Sequence, residues 1–197
     1  MTTVRPLPDP LPHGEREGRT INSARLTASL EALGRIGAYT DESSGIVGVR
    51  RLAFSKEDGE GRTHVVNEMR AAGLEVTIDR IGNVYGRRKG RDDRAKPVMS
   101  GSHIDSVATA GRFDGCLGVL GALEVVKTLN DAKVTTRRPL IVAFFSEEEG
   151  ARFGTDMLGS AVAVGRIPLA RASARPDRDG PGVRPALARL GVRGTAP

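Results

Sequence analysis

Three short stretches of the chain contain the residue types of a hydrolytic metal site. Gly101-Ser102-His103-Ile104-Asp105 offers an imidazole with a carboxylate two residues later, and Gly111-Arg112-Phe113-Asp114-Gly115 offers a carboxylate before a glycine-rich helix. Ser146-Glu147-Glu148-Glu149-Gly150 offers three adjacent carboxylates after an apolar run. A neutral imidazole with several carboxylates suits Zn²⁺, Mn²⁺ or Co²⁺, so the pattern favours metal-assisted hydrolysis.

The chemistry of such a site suggests a separate role for each of these side chains. Asp105 is placed to hold the second ring nitrogen of His103 and so select its tautomer. Asp114 has two oxygens and is the candidate bridge between two metal ions. Among the three glutamates, one could bind metal while its neighbour takes a proton from a water molecule. Taken alone, the glutamate run could equally be a solvated acidic strand end.

Periodicity predicts the elements that position these residues. Residues 97–102 read as a short strand that ends at His103, residues 115–132 as a helix with Asp114 at its N-cap, and residues 139–145 as a buried central strand. A strand, a helix and a strand in that order form a parallel unit, and ligands bind beyond the carboxyl ends of such strands. The three stretches are therefore expected to converge at one edge of the sheet.

The rest of the chain reads as scaffold. Helices are predicted over residues 21–33, from a capping box at Ser55 to about Ala72, and over 183–190, with a loop over 39–51. Strands over 74–79 and 83–87 should form a hairpin. His64 is interpreted as a packing residue of its helix and Cys116 as a small buried one. The expected fold class is α/β, with a mixed, mostly parallel sheet flanked by helices.

Composition excludes several classes of function. The net charge of +6 could suggest nucleic acid, but Trp is absent, aromatics are only 4%, and much of the positive charge lies in the C-terminal tail. We therefore expect no nucleic-acid partner. No apolar run approaches about 20 residues, so no membrane partner is expected either. A single cysteine and the lack of an apolar leader favour the cytoplasm.

The three motifs closely resemble those of the N-carbamoyl-L-amino acid hydrolase and allantoate amidohydrolase family. Two further stretches are similar to it, Gly82-Asn83-Val84-Tyr85-Gly86 and Met157-Leu158-Gly159-Ser160. The family belongs to the dinuclear-metal aminoacylase and carboxypeptidase superfamily. The resemblance covers about 21–165, and the Glu-Glu-Glu-Gly-x-Arg-Phe form is more typical of the amidase branch than of the peptidases.

The resemblance implies specific roles. His103, Asp114 and Glu149 would be metal ligands, with Asp114 as the bridge. Glu148 would be the catalytic acid and base, and Asp105 would assist as the partner of His103. It implies two divalent ions per complete site (Zn, Mn, Co or Ni), a small ureido or amide substrate, a zinc-exopeptidase-like fold, and a homodimer for a full-length form.

The remaining ligands of the family lie downstream of the matching motifs. We therefore expect this chain to be the N-terminal part of such an enzyme. The expected organisation is a disordered leader (1–20), a partial catalytic domain (21–165), and the start of a lid and dimerisation domain or a flexible tail (166–197). Two alternatives stay open, an aminoacylase or peptidase of the same superfamily and a non-catalytic remnant that acts as an interaction partner.

Overall fold

The computed structural model describes residues 20–178 and 180–192. Its helices are α1 (Ser23–Gly34), α2 (Lys56–Ala71), α3 (Cys116–Asp131), α4 (Leu158–Ala163), α5 (Leu169–Ser173) and α6 (Val183–Arg189). Its strands are β1 (Ala38–Thr40), β2 (Val47–Val49), β3 (Glu75–Ile78), β4 (Val84–Arg88), β5 (Val98–His103) and β6 (Leu140–Phe145). The predicted leader lies outside the described residues, except for its last residue.

A mixed four-stranded sheet, in the order β3-β4-β6-β5, forms the centre of the fold. β3 and β4 form the predicted hairpin, β4 pairs antiparallel with β6, and β6 pairs parallel with β5. The mixed sheet is therefore confirmed, but the expectation that it is mostly parallel is wrong. The one parallel pairing in this four-stranded sheet is between β5 and β6, the two strands that α3 connects. Because β5 and β6 run in the same direction, their carboxyl ends meet at one edge of the sheet.

β6 is the central strand that its continuous apolar sequence predicts. Val142, Ala143 and Phe144 are almost completely buried. Gly101 of β5 lies against Ala143, and a Cβ at that glycine would overlap the Ala143 carbonyl oxygen. This close approach keeps His103 level with Phe145. The residues that follow each strand are thereby brought side by side.

A large apolar cluster joins α1, α2 and α3 to the sheet. Its members are Leu30, Leu33, Val65, Val66, Met69, Leu74, Val84, Ile104, Cys116, Val119, Leu120, Leu123, Val126, Val142 and Phe144. Arg25 ties α1 to α3 by donating from Nη2 (2.7 Å) and Nε (2.8 Å) to the buried carboxylate of Glu124. These hydrogen bonds hold the pKa of Glu124 below its usual range.

A second apolar cluster lies where the last three helices pack. Phe54, Ile81 and Phe153 contact buried residues of α4, α5 and α6. The helix expected over 183–190 is confirmed as α6, and its Val183, Ala186 and Leu187 are buried. The division of the chain at residue 165 stays a prediction.

The expectation of a loop over residues 39–51 is wrong. β1 and β2 pair antiparallel, and Asp41 Oδ1 accepts from the amides of Ser43 and Ser44 in the turn between them. Each strand has only three residues, too few for an alternating pattern to be recognised. The turn chemistry was visible in the sequence, but the strands beside it were not.

Candidate metal centre

His103 is held at the carboxyl end of β5 in a defined orientation. Its ring is almost completely buried, and Nδ1 lies 2.9 Å from the main-chain carbonyl oxygen of Asp105. A carbonyl oxygen can only accept, so Nδ1 carries the proton in this contact and Nε2 is left as the free ligand atom of the neutral ring. Nε2 faces carboxylates, with Glu148 Oε2 at 3.2 Å and Asp114 Oδ1 at 4.0 Å. A positive ion between these atoms would balance the facing negative charges.

The carboxylate of Asp105 does not make the expected hydrogen bond with the His103 ring. The expected contact with His103 is made by the carbonyl oxygen of Asp105, while Oδ2 accepts from the amides of Glu148 (3.1 Å) and Glu149 (3.4 Å). This residue therefore links the His103 segment to the glutamate segment. Burial raises the pKa of Asp105 to about 7, and the charge of Asp58 acts in the same direction. Among the described residues, none donates to its Oδ1.

Asp114 does not cap α3, contrary to expectation. The N-cap is Gly115, whose φ of 62° lies in the left-handed region and whose missing Cβ leaves room for the ring of His103, 2.5 Å from where that atom would lie. With a glycine at the cap, the carboxylate of Asp114 is free to face the imidazole. Its side chain is 74% exposed, which leaves it open to a further ligand.

The three consecutive glutamates are separated by the turn after β6. Glu147 takes a left-handed φ of 51° and is completely buried. Its Oε1 accepts from the amides of Arg152 (3.1 Å) and Phe153 (2.6 Å), and this closes the turn. Glu148 and Glu149 are left partly exposed at the site. Burial raises the pKa of Glu149, the positive charge of a protonated His103 would oppose that rise, and the charge of Asp114 adds to it.

His103, Asp114 and Glu149 form a group that could hold a metal ion. One ligand atom from each lies within 4.8 Å of the others. An imidazole nitrogen with two carboxylate oxygens is a donor set that fits Zn²⁺, Mn²⁺, Co²⁺ and Ni²⁺. The expected convergence of three separate segments is thus seen in the structure. His64 is on α2 with Nε2 at 3.4 Å from Glu68, and it takes no part in this group.

A buried arginine behind the glutamate turn was missed by the sequence analysis. Arg62 donates to Asp58 Oδ2 (2.7 Å), to the carbonyl oxygen of Gly82 (2.6 Å) and to Ser146 Oγ (3.0 Å). Ser146 is the residue between β6 and the glutamates, so this network supports the end of the strand. A signal was present, because residues 58 and 62 lie at helical spacing on the same side of α2 as the buried Val65 and Met69.

A cavity lies apart from the group formed by His103, Asp114 and Glu149. It has a volume of about 1030 Å³ and lies between α2, α6 and residues 151–152, 177–178 and 180–181, and none of the three metal-binding candidates lines it. The helices of residues 20–178 and 180–192 are all too short or too polar to span a bilayer.

Comparisons with known proteins show what this chain is similar to. The chain matches Peptidase family M28 over residues 83–175. It is 45% identical over 148 residues to an N-carbamoyl-L-amino-acid amidohydrolase of Pseudomonas sp. (strain NS671). The aligned region covers 75% of this chain and 34% of that protein. A protein of the same description from Rhizobium meliloti is 40% identical over 179 residues, or 90% of this chain and 42% of its own.

The chain is also similar in structure to a solved protein. The crystal structure of a hydantoinase/carbamoylase family amidase from Burkholderia ambifaria superposes with a TM-score of 0.85 at 47% identity, covering 90% of this chain and 43% of the other. This chain therefore spans less than half the length of each of these proteins.

Proposed function

We propose that this chain, which belongs to the N-carbamoyl-L-amino acid hydrolase and allantoate amidohydrolase family, carries metal-binding and proton-transfer residues of a hydrolase for linear ureido or amide C–N bonds. The observation that supports this most directly is the convergence of His103, Asp114 and Glu149, with Glu148 beside His103. The activity of the whole protein is part of the proposal, since the chain covers only 34–43% of the three proteins compared.

The ligand residues divide by their surroundings. In a two-metal site, His103 Nε2 and Glu149 would each hold one divalent ion, and the exposed carboxylate of Asp114 would be shared by both. Zn, Mn, Co and Ni all suit these donors, and a complete two-metal site would need further ligands beside these three residues. A bound ion of this kind lowers the pKa of a water molecule and polarises a carbonyl oxygen.

Glu148 is the residue that we assign to proton transfer. Its side chain is 35% exposed, and it stands outside the three-residue ligand group while lying 3.2 Å from His103. When water attacks the carbonyl carbon, the carboxylate of Glu148 takes the water proton, and the C–O bond forms. The same carboxyl group then donates that proton to the leaving nitrogen as the C–N bond breaks. From an N-carbamoyl amino acid this yields the free amino acid and carbamate, which decomposes to ammonia and carbon dioxide.

Asp105 and Glu147 support these groups. The carbonyl oxygen of Asp105 keeps the free Nε2 of His103 facing the cluster, and its carboxylate binds the main chain that carries Glu148 and Glu149. Glu147 closes the following turn through the amides of Arg152 and Phe153. These hydrogen bonds hold the proton-transfer residue and the metal ligands in one arrangement without occupying their free oxygens.

The substrate class is tested by comparing ureido and acyl compounds. With Zn²⁺ or Mn²⁺ supplied, we expect a protein that contains this sequence to release ammonia from N-carbamoyl-L-amino acids or from allantoate. Release of amino acids from N-acyl amino acids or dipeptides, without ammonia from ureido compounds, would favour an aminoacylase or peptidase instead. The match to Peptidase family M28 is the observation that supports this second candidate.

The remaining assignments are also proposals. A homodimer for a full-length form and a second domain beginning near residue 166 are supported by the resemblance alone. A cytoplasmic location is supported by the single cysteine, which favours a reducing compartment. Hydrolysis of neither substrate class by a metal-loaded protein would instead favour a non-catalytic role.

A further inference from the structure

Arg51 is a completely buried arginine, 1% exposed, that lies just after β2. Its guanidinium donates from Nε to the carbonyl oxygen of Ile104 (2.7 Å) and from Nη1 to those of Leu33 (3.0 Å) and Ile36 (2.7 Å). Nη2 donates to Cys116 Sγ at 3.1 Å. One side chain thus binds the end of α1, the loop after β5 and the first residue of α3.

Two of these contacts are directly beside metal-binding candidates. Ile104 is the residue between His103 and Asp105, and Cys116 is two residues after Asp114. The main chain of Arg51 adds two more contacts to the same loop, because its amide donates to Ser106 Oγ and the Ser106 amide donates to its carbonyl oxygen, both at 2.9 Å. The loop that follows His103 is therefore bound by Arg51, a residue that is not part of the four-stranded sheet.

The buried charge needs a reason, because burying a cation costs free energy. Its acceptors are three carbonyl oxygens and a thiol. The carbonyl of Leu33 belongs to the last turn of α1, where the helix dipole is negative, and that of Ile36 follows two residues after the helix ends. A guanidinium presents several donors in a rigid planar fork, which an ammonium group cannot do. Gly61 of α2 leaves the room that this fork needs, since a Cβ there would lie 2.9 Å from Arg51 Cδ.

We propose that Arg51 is a positioning residue for the metal site. It fixes the position of the loop after His103 relative to the first turn of α3, so that His103 Nε2 and the Asp114 carboxylate face the same metal site. This proposal rests on the proposed function, because positioning His103 matters only if the residue binds metal. The orientation of the His103 ring can nevertheless be measured without metal.

The test compares Arg51→Lys with Arg50→Lys. Arg51→Lys keeps the charge and loses the fork. Arg50 is the neighbouring exposed arginine, which donates to the Ala108 carbonyl oxygen (2.9 Å) and lies over the ring of Tyr39. We expect Arg51→Lys to raise the Zn²⁺ dissociation constant by about 10- to 100-fold, the usual effect of losing a residue that orients a ligand. Arg50→Lys should change it by no more than about twofold.

A metal-free measurement separates positioning from simple stabilisation. In ¹⁵N spectra of the histidine rings, the unaltered protein should show His103 as the Nδ1–H tautomer, held by the Asp105 carbonyl oxygen. Arg51→Lys should show a mixture of tautomers while its circular dichroism stays that of a folded protein. A folded Arg51→Lys that binds Zn²⁺ normally and keeps the single tautomer would overturn the proposal, even if it melts earlier.

Gly61→Ala decides the question if Arg51→Lys does not fold. It keeps the guanidinium, displaces the Arg51 side chain by crowding Cδ, and by helix propensity should not itself weaken α2. Weaker Zn²⁺ binding and a mixed His103 tautomer are expected, and unchanged values of both would overturn the positioning role. If the unaltered chain binds no metal, the proposed function fails, whereas the tautomer comparison still decides the role of Arg51.

Discussion

Glu148→Gln, in an active protein that contains this sequence, is expected to lower kcat by about 10²- to 10⁴-fold, the range for removing a general acid and base. The amide is isosteric but cannot take a proton from water or return it to the leaving nitrogen. Metal content should stay unchanged, because Glu148 is not a member of the ligand group. The measurement is ammonia release at saturating N-carbamoyl amino acid, together with elemental analysis of the same sample.

Glu149→Gln provides the matched control for this prediction. It makes the same chemical change one residue further on, but it alters a ligand, so metal and turnover should be lost together. If Glu148→Gln keeps normal turnover, or if it loses metal as Glu149→Gln does, the assignment of proton transfer to Glu148 is wrong.

Arg62→Met is expected to lower the free energy of unfolding by about 3–5 kcal/mol, the cost of breaking a buried ion pair from one side. Asp58 is fully buried, and Arg62 is its charged partner at 2.7 Å. The substitution also removes a donor to Ser146, at the end of β6. The measurement is urea unfolding followed by circular dichroism.

Arg70→Met is the control for Arg62→Met on the same helix. Arg70 is exposed, so its replacement should change the free energy of unfolding by less than about 0.5 kcal/mol. Asp58→Asn in the Arg62→Met background should recover part of the loss, because it removes the orphaned charge and keeps an acceptor for the Phe54 amide. A loss below about 1 kcal/mol for Arg62→Met would mean that the pair contributes little.

The sequence was most informative where long elements delimit the motifs. The apolar run of β6 and the periodic pattern of α3 predicted a parallel unit, and that unit predicted where His103, Asp114 and Glu149 meet. Such patterns are readable because burial of whole strands and helix faces dictates residue type at every position. The site could be located in this way before its geometry was known.

Features that depend on individual contacts could not be read in the same way. Arg51 lies in a segment that was expected to be a loop, and the carbonyl groups packed around its guanidinium explain its burial. Arg62 lies at helical spacing with the buried side of α2, but that spacing does not show which groups, such as Asp58, balance its charge. The N-cap of α3 is Gly115, and the ring of His103 occupies the space that a Cβ at this residue would need. This is a contact between residues of different elements, which the sequence pattern does not show. The carbonyl of Asp105, which holds the imidazole, is a main-chain group that every residue type carries.

Metal content is the most direct measurement of whether this chain carries a hydrolytic metal site. The chain and its His103→Ala variant would be dialysed against trace Zn²⁺ and Mn²⁺ and analysed for bound metal per chain. We expect the unaltered chain to retain a metal ion that His103→Ala does not. No retained metal in the unaltered chain, or equal retention in both proteins, would contradict a site built on His103, Asp114 and Glu149.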